Sequence, residues 1–299
     1  MRVANQSGRL VLVADGRAVD VENASSGRFS ADPQQIFEHW DEFLSWSRTV
    51  EFSDASAVVD SELQAPVPRP GQIFAVGVNY ADHVEESGLE LPDTPFVFTK
   101  FPASIAGPYD TIEHPGGSVD FEVELVAVIG KQARYVPAER GWEYVAGLTL
   151  GQDLSERDLQ LSGPAPQQFS LGKSFTGFTP IGPVLVTPDE FADRDDIEVS
   201  TVLSGELMQK SRTRHLIFPI PVLVSYLSSI VPLRPGDLIF TGTPAGIGFT
   251  REPKRLIGVE DELVSTADGI GQMRHRFAPS GRPHPLTTLS RNSRSTSHV

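Results

Sequence analysis

A mixed α/β fold rich in strands is the architecture this sequence predicts, on three observations. Past residue 120, short apolar runs recur at 122–129, 183–186, 197–203 and 237–241, and glycines and prolines between them mark frequent turns. The helical pattern there is confined: Pro221 can open a helix through Val222, Leu223, Val224, Tyr226 and Leu227, and Pro232 and Pro235 close it. The regular strand–helix rhythm of a doubly wound sheet is missing.

Taken in order, Leu10–Val13 and Arg17–Val21 read as short strands around the turn at Asp15-Gly16. Residues 33–47 read as a helix with Ile36, Trp40 and Leu44 on one face. Pro66, Pro68, Pro70 and Gly71 then supply a boundary, so residues 1–68 are expected to form a small accessory domain. A strand at 72–78 opens the main domain, 69–280. Residues 281–299, rich in Ser, Thr, Arg and Pro after the Gly281-Arg282-Pro283 junction, read as a flexible tail.

The 299 residues suffice for a full core. A formal charge of −14 argues against nucleic acid as a partner, because phosphate binding needs concentrated positive charge. No run of about 18 apolar residues suggests a membrane span, and the opening MRVANQSGRL lacks the apolar segment of a secretory signal. Without cysteine there are no disulfides and no thiolate catalysis, and the expected location is cytoplasmic. Neither GxGxxG nor a Walker A loop organises a nucleotide site.

The most informative segment is Asp120 to Gly130. Its tail is a buried-strand pattern, yet Glu122 and Glu124 enter it two apart and therefore share a face. Two adjacent carboxylates repel, so the pair marks either an exposed strand start or a cation site. Asp153, in Gly151-Gln152-Asp153-Leu154-Ser155, is a third carboxylate candidate. Three carboxylates without thiols suit a hard cation such as Mg2+ or Mn2+ better than zinc, and the regular calcium loop is absent.

In Asn79-Tyr80-Ala81-Asp82-His83-Val84-Glu85-Glu86, one helical turn puts His83 and Glu86 on the same face. A carboxylate can orient an imidazole as a general base, although a plain surface helix has the same spacing. Asp82 and Glu85 are expected to face solvent. Tyr80 is either a core aromatic or a wall of a substrate pocket. Lys173, between glycine-containing turns, could meet an oxyanion or pair with an acid. The turn Gly242-Thr243-Pro244-Ala245-Gly246-Ile247-Gly248 could offer backbone donors and the Thr243 hydroxyl to an anionic substrate, or serve as a tight crossover.

In their order along residues 72–277, these pieces resemble the fumarylacetoacetate hydrolase superfamily. The resemblance rests on Asn79-Tyr80 through His83 and Glu86, Glu122 with Glu124, and Asp153 through Gln160. It continues through Gly172-Lys173-Ser174, Ser204 through Gln209, and Phe240-Thr241-Gly242-Thr243-Pro244. It implies a beta-rich roll with peripheral helices, commonly a homodimer. By it, Glu122, Glu124 and Asp153 hold Mg2+ or Mn2+, His83 and Glu86 activate water, and Lys173 sits beside the reacting oxygens. Gln160 and Thr243, with Tyr80 as a wall, are the expected substrate contacts. Arg157 could reach a substrate carboxylate but fits a structural ion pair better.

Two departures stand out: Thr176 where many members carry Asp, and Gln152 where Asn is frequent. The implied substrate is a 2-oxo or 1,3-dioxo acid, and the implied reaction is metal-dependent hydrolysis of a carbon–carbon bond in an acylpyruvate. Oxaloacetate decarboxylation and 2-oxo-dienoate isomerisation or hydration are the alternatives, and a non-enzymatic scaffold is the reading from another class.

Overall fold

The structure, a computed structural model, describes residues 1–53, 55–88, 90–165 and 167–287. Its body is a twelve-stranded mixed sheet. The central strands run in the hydrogen-bonded order Arg2–Gln6, Thr179–Val186, Val145–Gln152, Val123–Ile129, Leu238–Phe240, Ile73–Gly77 and Phe96–Thr99. Neighbours in this series are antiparallel, except that Leu238–Phe240 and Ile73–Gly77 are parallel.

The run Val123–Ile129 is apolar almost throughout because both its faces are covered. Val123, Leu125, Ala127 and Ile129 pack with Ile220, Leu223, Val224 and Leu227 of the helix Ile220–Ile230. Val126 and Val128 point the other way, into a layer with Phe37, Trp40 and Phe43. That second layer comes from the N-terminal residues, where Phe29, Trp40, Phe43 and Trp46 have ring centroids 5.1–5.8 Å apart along the cluster.

The expected hairpin is present as Arg9–Ala14 and Arg17–Asp20. Arg2–Gln6 joins it to the main sheet, with Val3 opposite Leu185. The helix expected over 33–47 is divided into a 3-10 turn, Gln35–His39, and an α-helix, Trp40–Ser47. His39, at φ −127°, interrupts the helical backbone between them. Phe43 accompanies Ile36 and Trp40 in the core, at the i, i+4, i+7 spacing of one helix face, and Leu44, at the edge of that face, is half-buried.

A five-stranded sheet lies over the start of Val123–Ile129, in the order Glu206–Arg212, Glu198–Leu203, Glu262–Ala267, Gly271–Pro279, Thr111–His114. It supplies the hydroxyls and amides that fix the polar end of that strand. Beyond it, His284 lies 3.0 Å from buried Glu156, so this part of the expected tail packs on the body. The rest of that tail, 288–299, lies outside the described residues. Among the described residues no helix is long and apolar enough to cross a membrane.

Candidate active site

Strand pairing gathers the carboxylates. Val123 pairs with Gln152 and Glu124 with Gly151, and the ladder continues past the strand end where Asp153 N–H donates to the Glu122 carbonyl at 2.8 Å. Ligand oxygens of Glu122, Glu124 and Asp153 therefore lie within 4.8 Å of one another. Gly151 leaves room for apolar packing beside the cluster: a Cβ there would stand 2.6 Å from atoms of Phe240 and Val126. Of the two readings of the Glu122–Glu124 pair, an exposed strand start is excluded, since the residues are only 7% and 2% exposed.

Three buried cations enclose this cluster. Lys173 Nζ donates to Glu122 at 2.7 Å and to Asp153 at 2.6 Å. Lys100 Nζ donates to the other Asp153 oxygen at 2.5 Å and to the Lys173 carbonyl. Arg157 bridges Glu122 at 2.6 Å and Asp120 at 2.7 Å, and is thus the ion-pair arginine expected. Burial alone would raise the Glu122 carboxyl, but Lys173 and Arg157 outweigh it and hold it below its usual value. Burial would lower the Lys173 amine, yet Asp153 and Glu122 raise it above its usual value. Lys100 goes the other way: its complete burial lowers it despite Asp153.

Glu124 differs from its neighbours. It accepts the Gly242 N–H at 2.6 Å but has no ion pair among the described residues. Burial, followed by the charges of Asp153 and Glu122, pushes its carboxyl well above the usual range. A buried triad of hard oxygen donors with one uncompensated carboxylate fits a divalent cation of the magnesium or manganese type.

The helix Ala81–Ser87 carries the acid–base pair. The preceding strand leaves the sheet at Val78, whose φ of +55° is rare for a β-branched residue. Asn79 then fixes the exit: its side-chain amide donates to the carbonyls of Phe218 and Thr241 and its oxygen accepts the Phe218 N–H. His83 Nδ1 lies 3.2 Å from a Glu86 oxygen, while Asp82 and Glu85 are exposed as expected. The other Glu86 oxygen accepts the Gly246 N–H at 3.0 Å. Burial opposes ionisation of Glu86, but these hydrogen bonds, His83's first, hold its carboxyl below the usual value.

The Gly242–Gly248 turn does present donors to anions, but to the protein's own carboxylates. Gly242 N–H serves Glu124, Gly246 N–H serves Glu86, and Gly248 N–H serves Asp120 at 2.8 Å. Gly242 sits at φ +103°, a conformation that glycine tolerates and a Cβ would not, since it would meet Asn79 at 2.7 Å. The Thr243 hydroxyl accepts the Gln209 amide at 2.7 Å and keeps its own proton for another partner.

His83, Glu122, Glu124, Lys173, Gln160 and Thr243 all line one cavity of about 640 Å³. The oxygen of Gln160 accepts from Arg157 at 2.9 Å, leaving its amide nitrogen for a ligand. Tyr80 lies outside the lining: it is fully buried, and its hydroxyl has no hydrogen-bond partner among the described residues. Of its two readings the structure gives the core aromatic. Thr176 is exposed and borders a different hollow, near Arg282 and Pro283, so it does not shape this cavity. Gln152 accepts the Glu122 N–H and donates to the Thr201 and Ser265 hydroxyls, so its amide is fully engaged behind the site.

Sequence reasoning missed Lys100, Asp120 as the second partner of Arg157, and the aromatic lining formed by Phe96, Phe98 and Phe169. The sequence signal for Lys100 is its place at the end of the strand-like Phe96-Val97-Phe98-Thr99, and that spacing does not reveal its partner.

Known proteins resemble this chain in sequence and in fold. The model of the fumarylacetoacetate (FAA) hydrolase C-terminal family matches residues 72–278. A bovine (Bos taurus) protein named oxaloacetate tautomerase FAHD2B, mitochondrial, is 43% identical over 209 residues, which are 69% of this chain and 66% of that protein. A Mycobacterium smegmatis crystal structure provisionally assigned as an HpcE protein is 53% identical. Its TM-score is 0.89, over 94% of this chain and 100% of the other. Maleylpyruvate hydrolase from Sphingobium sp. SYK-6, solved with manganese(II) and pyruvate, is 26% identical with a TM-score of 0.77, over 93% of this chain and 99% of the other.

Proposed function

For this chain, which belongs to the fumarylacetoacetate hydrolase family, we propose metal-dependent hydrolysis of the carbon–carbon bond of an acylpyruvate. The observation that carries the reading is that His83, held by Glu86, lines the same cavity as Glu122 and Glu124, whose oxygens lie within 4.8 Å of an oxygen of Asp153. A bound Mg2+ or Mn2+ would be held by those three carboxylates and would supply Lewis-acid charge to the oxygens of a 2-oxo acid.

The chain's own groups account for the proton traffic. Glu86, tethered by Gly246 N–H, holds His83 Nδ1 and leaves Nε2 free to take a proton from water. The water oxygen bonds to the distal carbonyl carbon of R–CO–CH2–CO–COO−. Collapse of the tetrahedral adduct breaks the bond to the CH2 carbon, releasing R–COOH and the enolate of pyruvate. Protonated His83 returns that proton to the CH2 carbon of the enolate and completes pyruvate. Lys173, kept cationic by Glu122 and Asp153, also offsets negative charge on the reacting oxygens.

A second reading, keto–enol tautomerisation of a 2-oxo diacid, is favoured by the name of the bovine relative. It uses the same cavity and His83 as a proton carrier, with no activated water. The test is product analysis on metal-stripped protein reloaded with magnesium or manganese, against acylpyruvates and oxaloacetate. Hydrolysis predicts pyruvate plus a carboxylic acid, and a fall in kcat of about 10²–10⁴-fold in His83→Ala. Enol–keto exchange of oxaloacetate without acylpyruvate cleavage would transfer the assignment to a tautomerase, and carbon dioxide release to a decarboxylase.

A further inference from the structure

The two ends of the cavity differ in kind, and the difference bears on the distal group of the substrate. At the inner end the lining cations are Lys173 and Arg157, and both already contact the protein's own carboxylates. From Lys173 outward the wall turns aromatic. The Phe98 ring centroid is 5.1 Å from Lys173 Nζ, Phe169 is 5.8 Å beyond it, and Phe96 packs edge-on to Phe169 at 5.3 Å. Phe96 reaches the mouth, 43% exposed.

Phe249 lines the cavity beside Arg157, whose guanidinium carbon is 5.9 Å from its ring centroid. The exposed Lys254 lies 3.6 Å from the same centroid but does not line the cavity. Among the described residues, then, no unpaired lysine or arginine lines the space where a distal group would sit. A volume of about 640 Å³ is within the range that accepts drug-sized ligands, and leaves room beyond a small 2-oxo acid head.

We propose that this site selects 2-oxo acids whose distal group is apolar, an aliphatic or aromatic acyl chain, over those that carry a second carboxylate. The proposal rests on the acylpyruvate reading for the chemistry but not for the recognition. A chain laid along Phe98, Phe169 and Phe96 removes apolar surface from water, about fourfold in affinity per methylene. A distal carboxylate in the same place loses hydration without gaining a cation.

The test separates recognition from chemistry. Calorimetry on the manganese-loaded protein compares 2-oxoglutarate with 5-methyl-2-oxohexanoate, in which an isopropyl group replaces the distal carboxylate. We expect the isopropyl compound to bind at least about tenfold more tightly, and Phe169→Arg to reverse the order. Phe96→Lys, at the exposed mouth, serves if Phe169→Arg fails to fold. Equal binding, tighter binding of 2-oxoglutarate, or a folded variant that keeps the wild-type order would each overturn the proposal. A parallel series of acetyl-, butanoyl- and hexanoylpyruvate should show kcat/KM rising with chain length. Silence across that series alongside the expected binding order would overturn the hydrolase reading alone, and a flat series that is nonetheless hydrolysed would overturn the preference.

Discussion

Residues 125–129 and residues 120–124 are consecutive and almost wholly withheld from solvent, yet opposite physics holds them in place. Leu125 to Ile129 is held by two apolar layers, one from the helix Ile220–Ile230 and one from the N-terminal aromatics. Asp120, Glu122 and Glu124 lie in a shell of Arg157, Lys173 and backbone N–H groups, and Lys100 joins it through Asp153 across the ladder. Any well-packed apolar neighbour of similar shape can serve the first stretch. The second needs particular charges at particular distances, because a buried carboxylate that loses its partner is destabilising outright. One strand thus anchors the fold at one end and a reactive cluster at the other.

The sharpest way to break the comparison is Lys100→Met. It removes one of two amines on Asp153 while keeping much of the volume, and the loss in unfolding free energy should be about 3–5 kcal/mol. Urea denaturation of metal-stripped and metal-loaded protein measures it. A loss below about 1 kcal/mol would mean Lys173 alone compensates Asp153, and that the shell is redundant.

Leu125→Ala probes the other end with a loss of about 2–5 kcal/mol. Its side chain packs in the layer opposite to that of Val126, on the face away from Glu124, so metal affinity should stay within a few-fold. A drop in metal affinity of more than about tenfold would show that the two halves are not separable.

The same contrast governs what the sequence reveals. The apolar half was legible because burial on two faces leaves a continuous run of Val, Leu and Ile that no exposed strand needs. The carboxylates were legible as a pattern, two acids at a spacing of two and a third after the next strand. Their compensation was not, because Lys100, Arg157 and Lys173 come from three separate segments and meet only through tertiary packing. The Gly242–Gly248 turn was legible as a set of anion donors, but its anions proved to be Glu86, Asp120 and Glu124 rather than a substrate. Tyr80 shows the reverse failure: a polar aromatic beside the dyad suggests a pocket wall, and only packing shows that it is sealed in the core.

The smallest predicted effect carries the most information, because its sign changes with the metal. Glu124 is the triad member without an ion pair among the described residues, and its carboxylate accepts the Gly242 N–H. Glu124→Gln keeps an oxygen to accept that N–H and adds an amide that can donate to Glu122 or Asp153. It also removes an acid whose ionised form burial and the charges of those two neighbours oppose. Metal-stripped Glu124→Gln should therefore be more stable than the metal-stripped wild type, by about 1–2 kcal/mol. Saturating metal should reverse the ranking. A ligand at about 100 times its dissociation constant adds roughly 2.7 kcal/mol to the wild type, and a triad short of one carboxylate gains less. Differential scanning calorimetry with and without manganese reads both differences. If Glu124→Gln is the less stable protein in both states, Glu124 is compensated by a group other than a metal, and the surplus negative charge at this end of the strand is not what a cation is there to meet.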